Sequence, residues 1–279
     1  MSFWKKLKRD RLAMVCLGFI VCVILLGVFA PWIAPYDPLE PNLANKFASW
    51  SLSHLFGSDH LGRDIFSRVI YGIRTTLFLA FLAMGLTLIL GSILGMIAGY
   101  FRKAEGVILR FCDVMLSFPS ELMMLAIVGM LGIGIKNIII ANIISKVAWY
   151  TRMVYSLSAG YKNKNYILFS KVCGHSSFCT LQKHIAPLLI ADIVMLATLD
   201  AGAVILSIST LSFLGLGVQP PTPEWGMMLS EAKNVMSIAP MQMIPSGFMI
   251  LLVVAAFNFL GDSIRDLRDP KYNFGKKSL

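Results

Sequence analysis

Long apolar runs alternate along this chain with short, charge-bearing connections. Six stretches combine about 20 mostly apolar residues with few charges, enough to cross about 30 Å of hydrocarbon. They are 12–34, 76–100, 113–133, 137–158, 187–210 and 242–262. Each is expected to be helical, because lipid offers no partner for backbone amides and carbonyls. Only Gly132-Ile133-Gly134-Ile135-Lys136 separates the third run from the fourth, which predicts a tight hairpin between antiparallel neighbours. Gly91, Gly95 and Gly99 share one face of the second run, a spacing that lets another helix approach closely. The pattern predicts an all-α integral membrane protein of about six transmembrane helices.

Composition agrees with the pattern. Charged residues make up 14% of the chain, against about 25% in an ordinary soluble domain. That balance argues against a disordered chain or a nucleic-acid-binding domain. The formal net charge of +10 then needs an explanation from topology. With the N-terminus inside, the inner segments hold 17 Lys and Arg: five before the first run, three in 101–112, four in 159–186 and five after 262. The outer segments hold six (Lys46, Arg63, Arg68, Arg74, Lys136 and Lys233), while Lys146 and Arg152 lie within the fourth run. This asymmetry places both termini in the cytoplasm of a multi-pass protein of the cell membrane. A signal peptide is the rival reading of the basic start. The run Leu12–Ala30 is longer than a signal core, and no small-x-small site precedes Pro31-Trp32, so it reads as a retained span.

The domain organisation follows: a cytoplasmic N-terminus 1–11, a first helix and long outer loop 12–75, a core of five helices 76–262, and a cytoplasmic tail 263–279. Two connections are too long for turns, 35–75 outside and 159–186 inside, and long ordered loops usually have a task. The inner one begins with a short amphipathic stretch that stops at Gly174. A second stretch runs from Ser176 to Pro187, the proline expected to open the fifth span. Such a helix–Gly–helix unit either rests on lipid headgroups or docks a cytoplasmic partner.

Ionisable groups at membrane depth are costly and mark functional candidates: Asp113, Glu121, Lys146, Arg152, Asp192 and Asp200. Asp113, Arg152 and Asp192 lie near span ends, where snorkelling reaches water. Asp200 lies about two turns deeper and is the better pathway candidate. Its carboxylate could attract a cationic cargo or pair with Lys146 or Arg152. The five cysteines form no extracellular framework, which argues against disulfides. Cys173, His175, Cys179 and His184 are residue types suited to a soft divalent ion. Their Cys-x-His-x3-Cys-x4-His spacing matches no standard zinc site, and no metal is assigned to them. His54 and His60, beside Asp59, are secondary candidates for passing on a metal. The 16 methionines scatter through the spans as packing residues. No phosphate loop, H-E-x-x-H or G-x-S-x-G motif occurs, so neither an ATPase nor an intramembrane hydrolase is expected. An ion-driven secondary transporter would bring broken helices and an inverted repeat, and no convincing sign of either is present.

Three motifs in order carry a resemblance. Gly57-Ser-Asp-His-Leu-Gly-Arg-Asp-Ile-Phe-Ser-Arg68 is similar to the G-T-D-x-x-G-R-D-x-x-S-R signature of the dipeptide, oligopeptide and nickel permeases of ABC importers. Ser209-Thr-Leu-Ser-Phe-Leu-Gly-Leu-Gly-Val-Gln-Pro-Pro-Thr-Pro-Glu-Trp-Gly226 and Phe257-Asn-Phe-Leu-Gly-Asp262 resemble that family's later motifs. The likeness runs from residue 1 to 272 and points to the second, C-type subunit of the permease pair. Ala148–Val154 and Ala197–Asp200 are similar to the nickel branch, whereas Gln219–Trp225 is shared with peptide permeases.

The resemblance implies a type I importer architecture with a cytoplasmic coupling helix. The family pattern there is E-A-A, three variable residues, then Gly. Aligned on Gly174, the E-A-A falls on Leu168-Phe169-Ser170, without the glutamate. The implied coupling residues are Tyr166, Ile167, Leu168, Phe169, Ser170, Lys171, Val172 and Gly174, with the apolar ones supplying docking area. Loss of the acid implies more hydrophobic coupling. The implied pathway candidates are Asp200, Arg152 and Asp113. Gly57, Asp59, Gly62, Arg63, Asp64 and Arg68 would frame an outer loop that meets a solute-binding protein, with Trp225 near the second outer loop. The chain itself would bind no cofactor, ATP and Mg²⁺ belonging to a separate ATPase subunit. A second permease, giving a heterodimer, and the bilayer complete the partners. The implied cargo is nickel or a metal chelate, with peptide as the alternative.

Overall fold

The computed structural model describes residues 7–8 and 10–268. Helix α1, Arg11–Val28, starts at Asp10, whose carboxylate accepts hydrogen bonds from the amides of Leu12 and Ala13. Such a cap satisfies amides that have no partner inside the helix. Its 18 residues span about 27 Å at 1.5 Å each. Helix α2, Ile65–Tyr100, begins well before the predicted residue 76 and has 36 residues. At about 54 Å it is longer than the hydrocarbon is thick, so the apolar run had marked only its membrane part.

The predicted span 113–133 is not one helix. Helix α3, Arg102–Leu116, and helix α4, Ser120–Leu131, meet at a bend of 88°. The break lies at Ser117-Phe118-Pro119, where proline lacks an amide and biases the residue before it away from helix. Helix α5, Ile135–Lys162, follows the predicted hairpin. Gly132 and Gly134 there have φ of +88° and +151°, and the Asn137 amide donates to the carbonyls of Leu131 and Gly132 at 2.9 Å. Helix α6, Asn165–Val172, ends before Gly174, whose φ is +82°. The turn Ser177–Thr180, capped by the Ser176 hydroxyl, then runs without a break through a π-helical segment Leu181–Ile185 into helix α7, Ala186–Phe213. Pro187 therefore does not open a new helix. The wider winding just before it, with the Ala186 amide bonded to the Leu181 carbonyl, eases the clash that proline makes with the preceding turn. Helices α8, Trp225–Asn234, and α9, Met243–Arg268, complete the described chain.

Among the described residues four helices are long and apolar enough to cross a membrane: Arg11–Val28, Ile65–Tyr100, Ser177–Phe213 and Pro240–Leu267, and the bent pair α3–α4 would make a fifth. The remaining predicted span lies in α5, which is long enough but, with Lys136, Lys146, Arg152 and Lys162, falls short in apolarity. All secondary structure among the described residues is helical apart from one isolated bridge, Ser58–Asp64.

The chain forms two compact units, one of residues up to 81, 131–138 and from 198 on, the other of 82–130 and 139–197. In the first, α9 packs against both α1 and α8. In the second, the glycine face of α2 meets α5 as the spacing predicts. A Cβ on Gly91 would stand 2.5 Å from the Tyr150 Cβ, one on Gly95 2.6 Å from the Thr151 carbonyl oxygen, and one on Gly99 2.7 Å from the Ser158 Cβ. A cluster of Tyr100, Val154, Ile167, Leu181, Ile185 and Leu189 closes one end of this unit.

Candidate functional site

The α1–α2 loop ends in a knot of charges that fastens it to α8. Gly57 and Gly62 turn the chain with φ of +73° and +76°, and a Cβ on Gly62 would collide with the Asn42 carbonyl. Asp59 accepts from the Leu61 and Arg63 amides at 2.9 Å and from Arg63 Nε at 2.6 Å. Arg63 and Arg68 are both 1% exposed, and both reach Glu231 of α8. Arg68 Nη2 lies 2.8 Å from Oε2 and Arg63 Nη2 lies 3.0 Å from Oε1. Arg68 also donates to the Pro38 carbonyl at 3.1 Å. Two guanidinium groups and two carboxylates thus balance within one buried cluster, the arrangement that burial of charge demands.

Asp64 caps α2, accepting from the Ser67 amide and hydroxyl at 2.8 Å. Its other oxygen lies 2.9 Å from His54 Nδ1. The Asn45 amide reaches His54 Nε2 at 3.3 Å, and Tyr36 stacks on the ring at 4.9 Å. Both ring nitrogens of His54 are therefore engaged in holding the loop. His60 stands half-buried outside this arrangement.

A second knot involves Glu224, which sequence reading passed over. Its carboxylate, fully buried, caps α8 by accepting from the Gly226 and Met227 amides at 3.0 and 2.8 Å. The hydroxyls of Thr76 in α2 and Ser209 in α7 reach it at 3.2 and 3.3 Å. Burial pushes this carboxyl above its ordinary value, and the backbone hydrogen bonds only partly oppose the shift. Beside it the buried Trp225 indole donates to the Val69 carbonyl at 3.0 Å. Sequence held one signal for this acid: it directly precedes the apolar–polar pattern of α8, the place of a helix cap.

Of the pathway candidates, Arg152 of α5 pairs with Asp113 of α3. One turn further on, Tyr155 donates to Glu105 at 2.7 Å. Asp192 and Asp200 are half-buried on α7 and Lys146 is buried on α5; none of the three is without a partner.

The α6 region sorts the coupling residues into two classes. Ile167 is wholly buried in the terminal cluster, and Ser170 is buried, its hydroxyl 3.3 Å from that of Thr180. These two anchor the helix and supply no docking area, contrary to expectation for Ile167. Tyr166, Leu168, Phe169 and Val172 point outward, with Phe169 68% and Val172 82% exposed. The side chain of Lys171 lies outside the described residues, as does the part of the expected tail from 269 on. Among the described residues no three His, Cys, Asp or Glu side chains converge on a common point. Of the Cys/His set, His175 and His184 meet edge to face at 5.6 Å, and His175 Nδ1 lies 3.1 Å from the Ser170 carbonyl.

Residues 89–274 match the family described as the inner membrane component of binding-protein-dependent transport systems. Residues 1–51 match the N-terminal transmembrane domain of oligopeptide transport permease C. The chain is 43% identical over 272 residues to a metal-staphylopine import system permease of Staphylococcus aureus, covering 97% of this chain and 94% of that one. It is 41% identical to a dipeptide transport system permease of Alkalihalophilus pseudofirmus over 96% of this chain and 88% of the relative. A glutathione transport system permease of Escherichia coli is 42% identical over 97% and 90%. Fold, motifs and similarity converge: the chain belongs to the inner membrane components of binding-protein-dependent transport systems, as an ABC importer permease of the oligopeptide permease C type.

Proposed function

We propose that this permease forms half of the translocation pathway for a metal ion, nickel foremost, carried free or as a complex with a small organic ligand. The observation that carries the reading is the near end-to-end likeness to a permease named for metal-staphylopine import. The nickel-like segments Ala148–Val154 and Ala197–Asp200, and the apolar residue at the E-A-A glutamate position, lend support. In this reading both termini are cytoplasmic, in line with the Lys and Arg asymmetry. A second permease supplies the other half, a cytoplasmic ATPase drives the cycle, and an extracytoplasmic binding protein delivers cargo. The α1–α2 loop then faces the binding protein and α6 the ATPase. Asp200, half-buried on α7, is the carboxylate that this reading assigns to a cationic cargo.

A peptide cargo is the second reading, favoured by the Gln219–Trp225 motif and by the likeness to dipeptide and glutathione permeases. Uptake in cells lacking the gene separates the two. Nickel, offered free and as its histidine complex, is measured beside a labelled dipeptide, with and without complementation. Selective loss of nickel entry supports the metal reading, and Asp200→Asn then lowers uptake. Selective loss of dipeptide entry overturns it and leaves the family assignment standing.

A further inference from the structure

The last turn of α1 meets α2 around a groove that the described chain does not fill. Gly27 lets the two helices close, since a Cβ there would stand 2.7 Å from the Ile73 Cγ2. Beside this contact lies a cavity of about 420 Å³, walled by Ile24, Gly27 and Val28 of α1 and by Ile73, Leu77 and Phe81 of α2. Arg74 completes the lining and is its one polar side chain among the described residues. It also lines a second pocket, of about 370 Å³, with Asp37, Tyr71, Thr75 and Thr222. Arg63 and Arg68, earlier in the chain, are buried against Glu231. Arg74 differs: it is exposed and, among the described residues, makes no hydrogen bond or ion pair. Its depth is marked by its neighbours. It stands two residues before the apolar run that starts at 76, and Phe29, Trp32 and Tyr36 follow α1 as exposed aromatics, Trp32 by 79%. Such residues gather at headgroup level. The groove therefore has an unanswered cation at its interfacial mouth and an apolar floor reaching toward hydrocarbon.

We propose that this groove binds one phospholipid with an amine headgroup, its phosphate on Arg74, its ammonium at Asp37 and one acyl chain along Val28 and Leu77. A guanidinium matches a phosphate in both charge and shape, and basic pockets between spans are suited to lipid headgroups. Asp37 selects among headgroups. One of its oxygens accepts from the Leu39 amide at 2.8 Å, and the exposed carboxylate shares a pocket with Arg74 without pairing with it. A negative charge beside an arginine–phosphate pair is best answered by an ammonium that can donate hydrogen bonds. The hydroxyls of Tyr71, Thr75 and Thr222 line the same pocket and offer further donors and acceptors to the headgroup.

The test uses the importer purified in detergent with its partner permease. Native mass spectrometry measures the retention of phosphatidylethanolamine, phosphatidylcholine and phosphatidylglycerol of identical acyl chains. The wild type is expected to hold one phosphatidylethanolamine in preference to the other two. Arg74→Gln lowers its retention about tenfold, the scale of one lost charge-assisted hydrogen bond. Asp37→Asn brings phosphatidylethanolamine down to the level of phosphatidylglycerol, and Val28→Trp, which fills the groove, lowers all three. Melting separates binding from folding. Added phosphatidylethanolamine raises the transition of the wild type and not that of Arg74→Gln, while the two melt alike in lipid-free detergent. Unchanged retention in Arg74→Gln, or a preference for phosphatidylglycerol, overturns the proposal. A lower transition of Arg74→Gln in lipid-free detergent does so too, since the arginine then serves the fold. So does a groove covered by the partner permease, seen as Val28→Trp separating the pair with lipid retention unaltered.

Discussion

Arg63 and Glu231 lie 168 residues apart in the sequence, yet the guanidinium Nη2 meets both carboxylate oxygens, at 3.0 and 3.2 Å. Glu231 also accepts from Arg68, so one acid on α8 holds two buried cations that the α1–α2 loop and the start of α2 bring together. The motif that resembles a family signature is thereby explained physically. Asp59 and Glu231 neutralise Arg63 and Arg68, and the glycines at 57 and 62 give the loop the turns that let it reach them.

Replacing Glu231 by glutamine should leave two buried guanidinium groups with the charge of Asp59 alone. Breaking one member of a buried ion cluster costs about 3–5 kcal/mol. The thermal transition of the purified protein should fall sharply, and transport should fall with it. Glu231→Asp, which keeps the charge, should recover part of the loss. An unaltered transition in Glu231→Gln would mean that the cluster is not what fixes α8 to the loop.

Glu224 gives a pH signature. Its carboxyl is raised above the ordinary 4.5 by burial, so the folded chain holds this proton more tightly than the unfolded chain does. As pH rises above 4.5, the unfolded state loses the proton first, and the group's contribution to stability declines until the folded value is passed. Above that point the penalty is constant. Glu224→Gln cannot titrate, so the difference between wild-type and variant melting temperatures should change across this window and become flat beyond it. A difference that does not vary with pH would show that the carboxyl titrates normally. When the proton is bound, the hydroxyls of Thr76 and Ser209 are positioned to turn and accept it.

What could be read from sequence followed from what local pattern encodes. The runs that became α1, α2, α7 and α9 are long and apolar, and solvent physics alone marks them as spans. The hairpin before α5 was visible in two glycines, and the glycine face of α2 in its spacing. The bend at Pro119 was hidden because the residues on either side keep the window apolar, and an average over the window cannot register a turn. In α6 Tyr166, Ile167, Leu168 and Phe169 follow one another without a polar residue between them, so periodicity could not single out Ile167 as the one that faces inward. Glu231 was invisible for another reason: it sits in an ordinary amphipathic helix, and its partners are set by tertiary structure. Asp113 and Arg152 were both recognised as ionisable groups near span ends, but only coordinates could pair them with each other.

The face of α2 that carries Gly91, Gly95 and Gly99 offers a controlled comparison. A methyl group on Gly95 would enter the Thr151 carbonyl at 2.6 Å, a backbone atom that cannot swing aside. At Gly85, in the same helix, nothing lies within 4 Å. Gly95→Ala should therefore separate α2 from α5 and destabilise by about 1–3 kcal/mol, the usual cost of overpacking. Gly85→Ala should be neutral or slightly stabilising, since alanine favours helix. Melting of both variants in the same detergent distinguishes a packing contact from mere helix propensity. Equal effects at the two positions would remove the packing explanation.

Gly174 tests conformation without contact. Its φ of +82° is one that side chains disfavour, while nothing within 4 Å would obstruct a Cβ. Any effect of substitution must therefore arise from the backbone. Alanine in this left-handed region costs about 1–2 kcal/mol, which the chain can relieve by shifting α6 relative to the turn at Ser177. Asparagine tolerates the conformation better. The expected order of transport rates is thus Gly174, then Gly174→Asn, then Gly174→Ala, with the amount of folded protein little changed. The same order should appear in ATP hydrolysis stimulated by the loaded binding protein, because α6 keeps its exposed apolar residues but presents them at an altered angle. Equal rates for Asn and Ala would show that the left-handed turn has no part in coupling. A loss of folded protein in step with the loss of rate would place Gly174 among the residues that build the segment between α5 and α7, with no separate part in driving the cycle.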